Sequence, residues 1–416
     1  MAHLLMIEGW ISESGNLLLP LLKEFGHTYT FATRNPQLYK TSNNNVPHPL
    51  FQEARDVLYV DTNNISELIE VAKKHKFDGV ISVCDYYFEA VQSVATALGI
   101  SSPVPNNLKN VRQKHLMRLA MDNAKLPNAK FRLANSWEEA LNGAQEIGYP
   151  IVVKPVDLAA SAFVCLVNNE SELKEAFNKL EQFDVNYRGQ ERNKVVLLEE
   201  FMVGEEISVE SVSFQGKTTI IGVTDKSLTG TPYFIETGHM FPAIIGNDQY
   251  LPLIDYVKSV LEAVGFDNGV AHTEVKLTKD GPRIVEINPR TPGGYIVELI
   301  EYVTGIRLLK VFLDLALGVS PVLEKKTTDI KSAAVMFLVP PHEGVIEEIR
   351  GLELLNADEN IVRYSIQDCK DKEIGASVDN DCYLGHIITK DTVGQQARKY
   401  VENAIKNIEL VYKTSK

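Results

Sequence analysis

The chain has 416 residues, too long for one ordinary core and suited to two or three domains. Its 44% hydrophobic and 23% charged residues match a globular protein, and no apolar run nears the roughly 20 residues of a membrane span. With 42 Lys and Arg against 55 Asp and Glu, the net charge of −13 repels nucleic acid and anionic lipid, so a phosphate ligand must be held by a few placed lysines and a metal.

The first residues, MAHLLMIEGW, read as a buried strand; they lack the basic region and cleavage site of a signal peptide. Cys84, Cys165, Cys369 and Cys382 form no CxxC pair and lie near no His at zinc spacing, which fits reduced thiols in a cytoplasmic protein.

A turn is expected at Ser12 to Gly15, then a helix through LLLPLLKEFG. Further strands are expected at Thr28–Ala32, Val57–Val60 and Gly79–Ser82, with a helix at Ile65–His75. This alternation predicts a parallel, doubly wound sheet ending near residue 107. The helical stretch LKNVRQKHLMRLAMDNAKLP leads to a βαβ-like pattern: helix Trp137–Gly148, strand Ile151–Lys154, strand Val164–Val167 and helix Glu170–Phe183. A polar spacer, NYRGQERNK, precedes the strand Val195–Glu199. Glu206–Phe214 and Thr218–Thr224 alternate about a Gln215-Gly216 turn, and a helix covers Leu251–Val264. Val270–Thr278 and Arg283–Ile287 form a hairpin about Lys279-Asp280-Gly281, followed by a long helix, Ile296–Leu317. From about 325 onward a separate α+β unit is expected, ending in the helix Val393–Ile408.

The hairpin AHTEVKLTKDGPRIVEINPR carries the strongest chemistry. Alternation allows Glu274 and Glu286 to face one side, with Asn288 two residues on. Converging carboxylates repel unless a cation neutralises them, and hard oxygen donors suit Mg²⁺, which shares its shell with phosphate. The alternative, a solvated edge hairpin, fits poorly with apolar Val275, Ile284, Val285 and Ile287. Arg290 in NPRTPGG is expected beside the metal with its guanidinium free for a carboxylate or oxyanion, and Gly293 and Gly294 offer backbone N–H groups at a helix start. Lys114 opens a helix and Lys154 ends a buried strand; either can be a phosphate-binding point charge or merely solvated. In LLEEFMVGEEISVE, Phe201-Met202 can cover a purine and Glu206 can accept from ribose, although a bare strand–turn–strand reads the same way.

The order Lys114, GYPIVVKP (148–155), EEFMVGEE (199–206) and Glu274…Glu286-x-Asn288-x-Arg290 resembles the ATP-grasp superfamily over nearly the whole chain. Within it the chain is similar to bacterial L-amino-acid ligases, carried by TDKSLTGTPYFIETGHMFPA, GVAHTEVKL, EINPRTPGGYIVELI and the C-terminal AAVMFLVPPHEGVIEEIRGLE. The resemblance implies an α/β and α+β fold: a pre-ATP-grasp domain (1–107), linker helices and lid subdomain (108–194), a large subdomain (195–324) and a C-terminal α+β domain (325–416). It implies that Lys114, Lys154 and, more weakly, Lys226 contact ATP phosphates; that Glu199, Phe201 and Met202 hold adenine and Glu206 ribose; and that Glu274, Glu286 and Asn288 bind two Mg²⁺. His239, Arg290 and Gly293 would line the acyl-phosphate and tetrahedral-intermediate site. The expected reaction joins a carboxylate, an L-amino acid, to an amine, a second amino acid, through an acyl phosphate, in a cytoplasmic homodimer without nucleic-acid or membrane partners. The alternatives are ligation of a non-amino-acid carboxylate, a carboxylase, or a nucleotide-binding module without turnover.

One stretch departs from the family pattern. Phe163 in Ser161-Ala162-Phe163-Val164 stands where glycine is usual, which argues against close backbone approach to the β- and γ-phosphates. For the substrate, strand-end residues Cys84 and Asp85 are expected near the cleft, Asp85 facing an ammonium or capping the next helix. Gly294 offers no side-chain bulk, so a larger acyl donor would fit.

Overall fold

A computed structural model describes residues 1–10, 14–39, 47–159, 161–229, 234–377, 380 and 382–413. Ser12 of the expected first turn lies outside them, as do residues 230–233 of the TDKSLTGTPYF stretch, while Ser14 and Gly15 begin the helix Ser14–Glu24. Among the described residues no helix is long and apolar enough to cross a membrane.

The N-terminal strands form a parallel sheet in the order Asp56–Tyr59, Thr28–Thr33, His3–Ile7, Gly79–Ile81. Leu4, Leu5, Met6 and Ile7 are all fully buried, as a strand covered on both faces requires. A second sheet, all antiparallel, runs Phe131–Ala134, Val196–Glu200, Ile151–Pro155, Cys165–Val167, with the helices Trp137–Ile147 and Glu170–Glu181 packed into its core. The strand Val196–Glu200 therefore lies inside this four-stranded sheet.

The third sheet has eight strands, ordered Gly281–Asn288, Gly269–Thr278, Glu205–Phe214, Lys217–Leu228, Glu236–Phe241, Ser332–Phe337, Gly385–Asp391, Ile361–Ile366. The strands of the expected C-terminal α+β unit extend this sheet. Ser332–Phe337 pairs directly with Glu236–Phe241 (Gly238 opposite Met336), so residues beyond 325 continue the same sheet. Alternation marks a strand but not its partner, so this pairing was not legible in the sequence. The expected helix Ile296–Leu317 is two helices, Ile296–Thr304 and Leu308–Ala316, because Gly305 takes a left-handed φ of 69° and ends the first. Both pack in one core with Leu4, Met6 and Ile81 of the first sheet and Val335 and Phe337 of the third. That shared core fixes the first sheet's strand ends against the large sheet, where the cavities described next open.

Candidate active site

The acidic hairpin owes its geometry to a bulge. Thr278 pairs with Gly281, and that register holds through Val275 opposite Ile284. Continued without a break, it would set Glu274 opposite Val285 and turn Glu286 to the other face. The register shifts after Glu274, leaving Val285 extra and placing Glu286 opposite Glu274. Arg118 fixes the bulge: its Nη2 donates to the Val285 carbonyl at 3.3 Å.

The two carboxylates are met by lysines. Lys226 Nζ lies 2.9 Å from Glu274, 2.9 Å from Glu236 and 3.3 Å from Glu206. Burial disfavours its charge, but the three carboxylates win and hold it well above the ordinary lysine range. Lys114 Nζ lies 2.8 Å from Glu286. Burial likewise raises the Glu286 carboxyl, and Lys114 outweighs it, holding the group well below the ordinary range. Asn288 Nδ2 donates to Glu286 Oε1 at 3.0 Å, leaving the Asn288 oxygen as a further hard donor.

Glu274 shows why a divalent cation fits here. Burial and the charge of Glu286 raise its carboxyl, but Lys226 and His272 outweigh them and hold it below the ordinary range, so it stays a charged oxygen donor. Among the described residues no three His, Cys, Asp or Glu side chains gather as a metal set. Two carboxylates and one carboxamide leave most of a Mg²⁺ shell open, which is how that ion binds when phosphate oxygens complete it. His272, 4% exposed, bridges Glu210 (3.0 Å) and Glu274 (3.3 Å). Against burial, those carboxylates raise it to about 9, so it is a fixed cation at neutral pH.

Two cavities meet at this hairpin. One, about 110 Å³, is bordered by Lys114, Lys154, Phe201, Met202, Glu206 and Lys226, with Phe234 facing Phe201 at 6.4 Å between ring centroids. The other, about 250 Å³, is bordered by Asp85, Arg290, Gly293 and Gly294 together with Trp10, Phe88, Ile296 and Phe312. They share Ala159, Ser161, Glu236, Glu274 and Glu286 as a common wall.

The expected site residues have these partners. Glu199 borders the smaller cavity, 2% exposed, with its carboxylate on Arg118 Nε (2.6 Å) and Lys154 Nζ (2.5 Å). Glu206 is engaged with Lys226 and with Lys276 at 3.1 Å. Arg290 is not free: Nε donates to Asp85 Oδ2 at 2.9 Å and Nη1 to the Thr291 carbonyl at 3.1 Å. Among the described residues its Nη2 has no partner, and neither has the buried Asp85 Oδ1. Cys84 does not border either cavity; it is fully buried, and burial pushes its thiol up to about 12. His239 lies behind the wall, 1% exposed, with Nε2 3.2 Å from Glu236 Oε2 in a contact too poorly aligned for a hydrogen bond. Gly294 is glycine for close approach: φ is +57° and a Cβ would sit 2.5 Å from His239 Nε2. Glu236, which borders both cavities, was missed, although it stands in the stretch FIETGHMF beside apolar Phe234, Ile235, Met240 and Phe241.

The glycine-poor loop still borders both cavities through Ala159 and Ser161; residue 160 lies outside the described set. Phe163 turns away, its ring 4.8 Å from Phe183, and holds a left-handed φ of 59°. Phe163→Gly should relieve about 1 kcal/mol of backbone strain but forfeit more in ring burial, a net loss of about 1–2 kcal/mol. Urea unfolding measures it, and an unchanged midpoint would show that the ring anchors nothing.

Comparison with known proteins gives two family matches: an ATP-grasp domain over residues 147–298 and L-amino acid ligase C-terminal domain 2 over residues 336–413. An uncharacterized Sinorhizobium fredii protein is 24% identical over 409 residues, covering 94% of this chain and 82% of that protein. Alanine–anticapsin ligase of Bacillus amyloliquefaciens is 26% identical over 268 residues, covering 60% of this chain and 56% of the ligase, so the match spans just over half that enzyme's length. The crystal structure of an L-amino acid ligase from Bacillus licheniformis superposes with a TM-score of 0.80 over 100% of this chain and 99% of that one. At 21% identity that likeness establishes the fold.

Proposed function

We propose that this chain, an ATP-grasp carboxylate–amine ligase with an L-amino-acid-ligase C-terminal domain, forms an amide between two amino acids by way of an acyl phosphate. The observation that carries the reading is the common wall. The cavity fitted to a nucleotide and the cavity holding Arg290 meet at Glu236, Glu274 and Glu286, so a γ-phosphate and a substrate carboxylate would meet there.

In this reading Phe201, Met202 and Phe234 cover the base, while Lys114 and Lys154 hold phosphate oxygens. Glu274, Glu286 and Asn288 would hold Mg²⁺, two ions in the full reading. When bound, the metal neutralises phosphate charge and lets a carboxylate approach. The substrate carboxylate oxygen attacks the γ-phosphorus, and the bond to the ADP oxygen breaks. The amine nitrogen then attacks the acyl carbon, phosphate leaves, and the nitrogen loses its proton. Arg290 Nη2 and the backbone beside Gly293 stabilise the oxyanion, and Ala159 and Ser161, on the common wall, help exclude water.

ADP release should therefore require an amino-acid pair, and mass spectrometry should find a product one water lighter than the pair. Chelation of divalent metal should abolish the reaction and added Mg²⁺ restore it. Bicarbonate-dependent turnover, or ADP release with no amide formed, would overturn the proposal.

A further inference from the structure

The polar stretch NYRGQERNK reads as a spacer in the sequence, but the structure makes it an arm. It closes on itself through Asn186, whose Oδ1 accepts from the N–H groups of Arg188 (2.9 Å) and Gln190 (3.1 Å). It then docks on the N-terminal sheet. The Arg188 carbonyl accepts from Arg34 Nη1 at 2.9 Å and from Asn63 Nδ2 at 3.0 Å. Gln190 Nε2 donates to the Tyr86 carbonyl at 3.0 Å. A Cβ on Gly189 would lie 2.8 Å from Arg34 Nη1, so the turn has no room for a side chain unless Arg34 moves.

Arg188 itself is 5% exposed, and among the described residues no carboxylate lies within ion-pair distance of it. A buried guanidinium without a direct counter-charge is costly and needs compensation. Here Nη2 donates to the Gly9 carbonyl at 2.5 Å, and the guanidinium carbon lies 5.3 Å from the Trp10 ring centroid and 5.8 Å from that of Tyr39. Trp10 is in turn 5.9 Å from Tyr86, edge to face, and borders the 250 Å³ cavity that Arg290 also borders. Arg188 borders neither cavity.

From this chain of contacts we infer that Arg188 is a positioning residue, fixing Trp10 as the wall that limits the side chain of the amino acid bound beside Arg290. The inference rests on the larger cavity being the amino-acid subsite. Trp10, Phe88, Ile296 and Phe312 supply the apolar part of its lining, so the chemical class admitted against them is an uncharged side chain. The arm that selects it belongs to the lid's polypeptide rather than to the cavity's own walls.

The chain has two tryptophans, so Trp137→Phe leaves Trp10 as the single indole reporter. In that background Arg188→Ala should red-shift and depolarise Trp10 emission, whereas Arg188→Lys, which keeps charge but not the planar stack, should recover at most part of it. Kinetics are read with L-alanine and L-phenylalanine as acyl donors. Arg188→Ala should raise the phenylalanine-to-alanine ratio of kcat/KM several-fold, and Trp10→Ala at least tenfold, with KM for ATP within about twofold. Trp10→Ala leaves the arm intact, so it still tests the wall if Arg188→Ala fails to fold. A folded Arg188→Ala with unchanged Trp10 emission overturns the inference, as does an unchanged donor ratio in Trp10→Ala. Failure of the unaltered enzyme to join any amino acids would strike the proposed function instead, leaving the emission test standing.

Discussion

Replacing Arg290 with alanine is expected to lower kcat for amide formation by about 10²–10³-fold, the usual cost of deleting one oxyanion donor. Nucleotide affinity should hold, because Arg290 borders the larger cavity and not the one holding Phe201 and Met202. The ion pair with Asp85 complicates a bare deletion. Asp85 is 6% exposed, and losing its partner leaves a buried carboxylate uncompensated. Arg290→Lys therefore belongs beside Arg290→Ala. It keeps a charge near Asp85 but cannot give one nitrogen to Asp85 while aiming another at substrate. Both variants should bind nucleotide in titration calorimetry and both should be slow. Turnover within a few-fold of the unaltered enzyme in Arg290→Lys would remove Arg290 from the chemistry.

What the sequence conveyed, and what it hid, divides along covalent neighbourhood. The hairpin, its turn and its acids were legible because they are contiguous and alternate against apolar flanks. The bulge at Val285 was not, and strict alternation through the Lys279-Asp280 turn would have put Glu286 on the wrong face. The acids do converge, for a reason the pattern did not contain. Long-range partners were invisible for the same cause. Asp85 and Arg290 are 205 residues apart, so neither could reveal that it occupies the other. Glu199 came from the family resemblance, and its partners Arg118 and Lys154 reach it from 81 and 45 residues away across the fold. Cys84 was expected near the cleft as a strand-end residue and His239 came from the family resemblance; both side chains are buried and border neither cavity. Neighbours in the chain convey where a residue lies, but not which distant group its atoms meet.

Arg118→Met is expected to have the largest effect on stability, about 3–5 kcal/mol, because it strands a buried carboxylate. Arg118 lies in the helix Lys114–Asn123 and is 0% exposed. One guanidinium joins three parts of the site: Nε to Glu199 at 2.6 Å, Nη1 to Asn128 Oδ1 at 3.0 Å and Nη2 to the carbonyl of the bulge residue Val285 at 3.3 Å. Burial alone would raise the Glu199 carboxyl, but Arg118 and Lys154 hold it down to about 2 against an ordinary 4.5. A depressed carboxylate stabilises the fold above its unfolded pKa and loses that contribution as pH falls through its folded one. The acid-labile part therefore disappears between about pH 4.5 and about pH 2, and is on the order of 3 kcal/mol. Urea unfolding between pH 6 and pH 2 should show the gap between the unaltered chain and Arg118→Met narrowing across that window. Adding Glu199→Gln to Arg118→Met should recover part of the loss at pH 6, since no buried charge is then left alone. A constant gap across the window would assign the cost of Arg118→Met to packing and to the freed Val285 carbonyl instead of to charge.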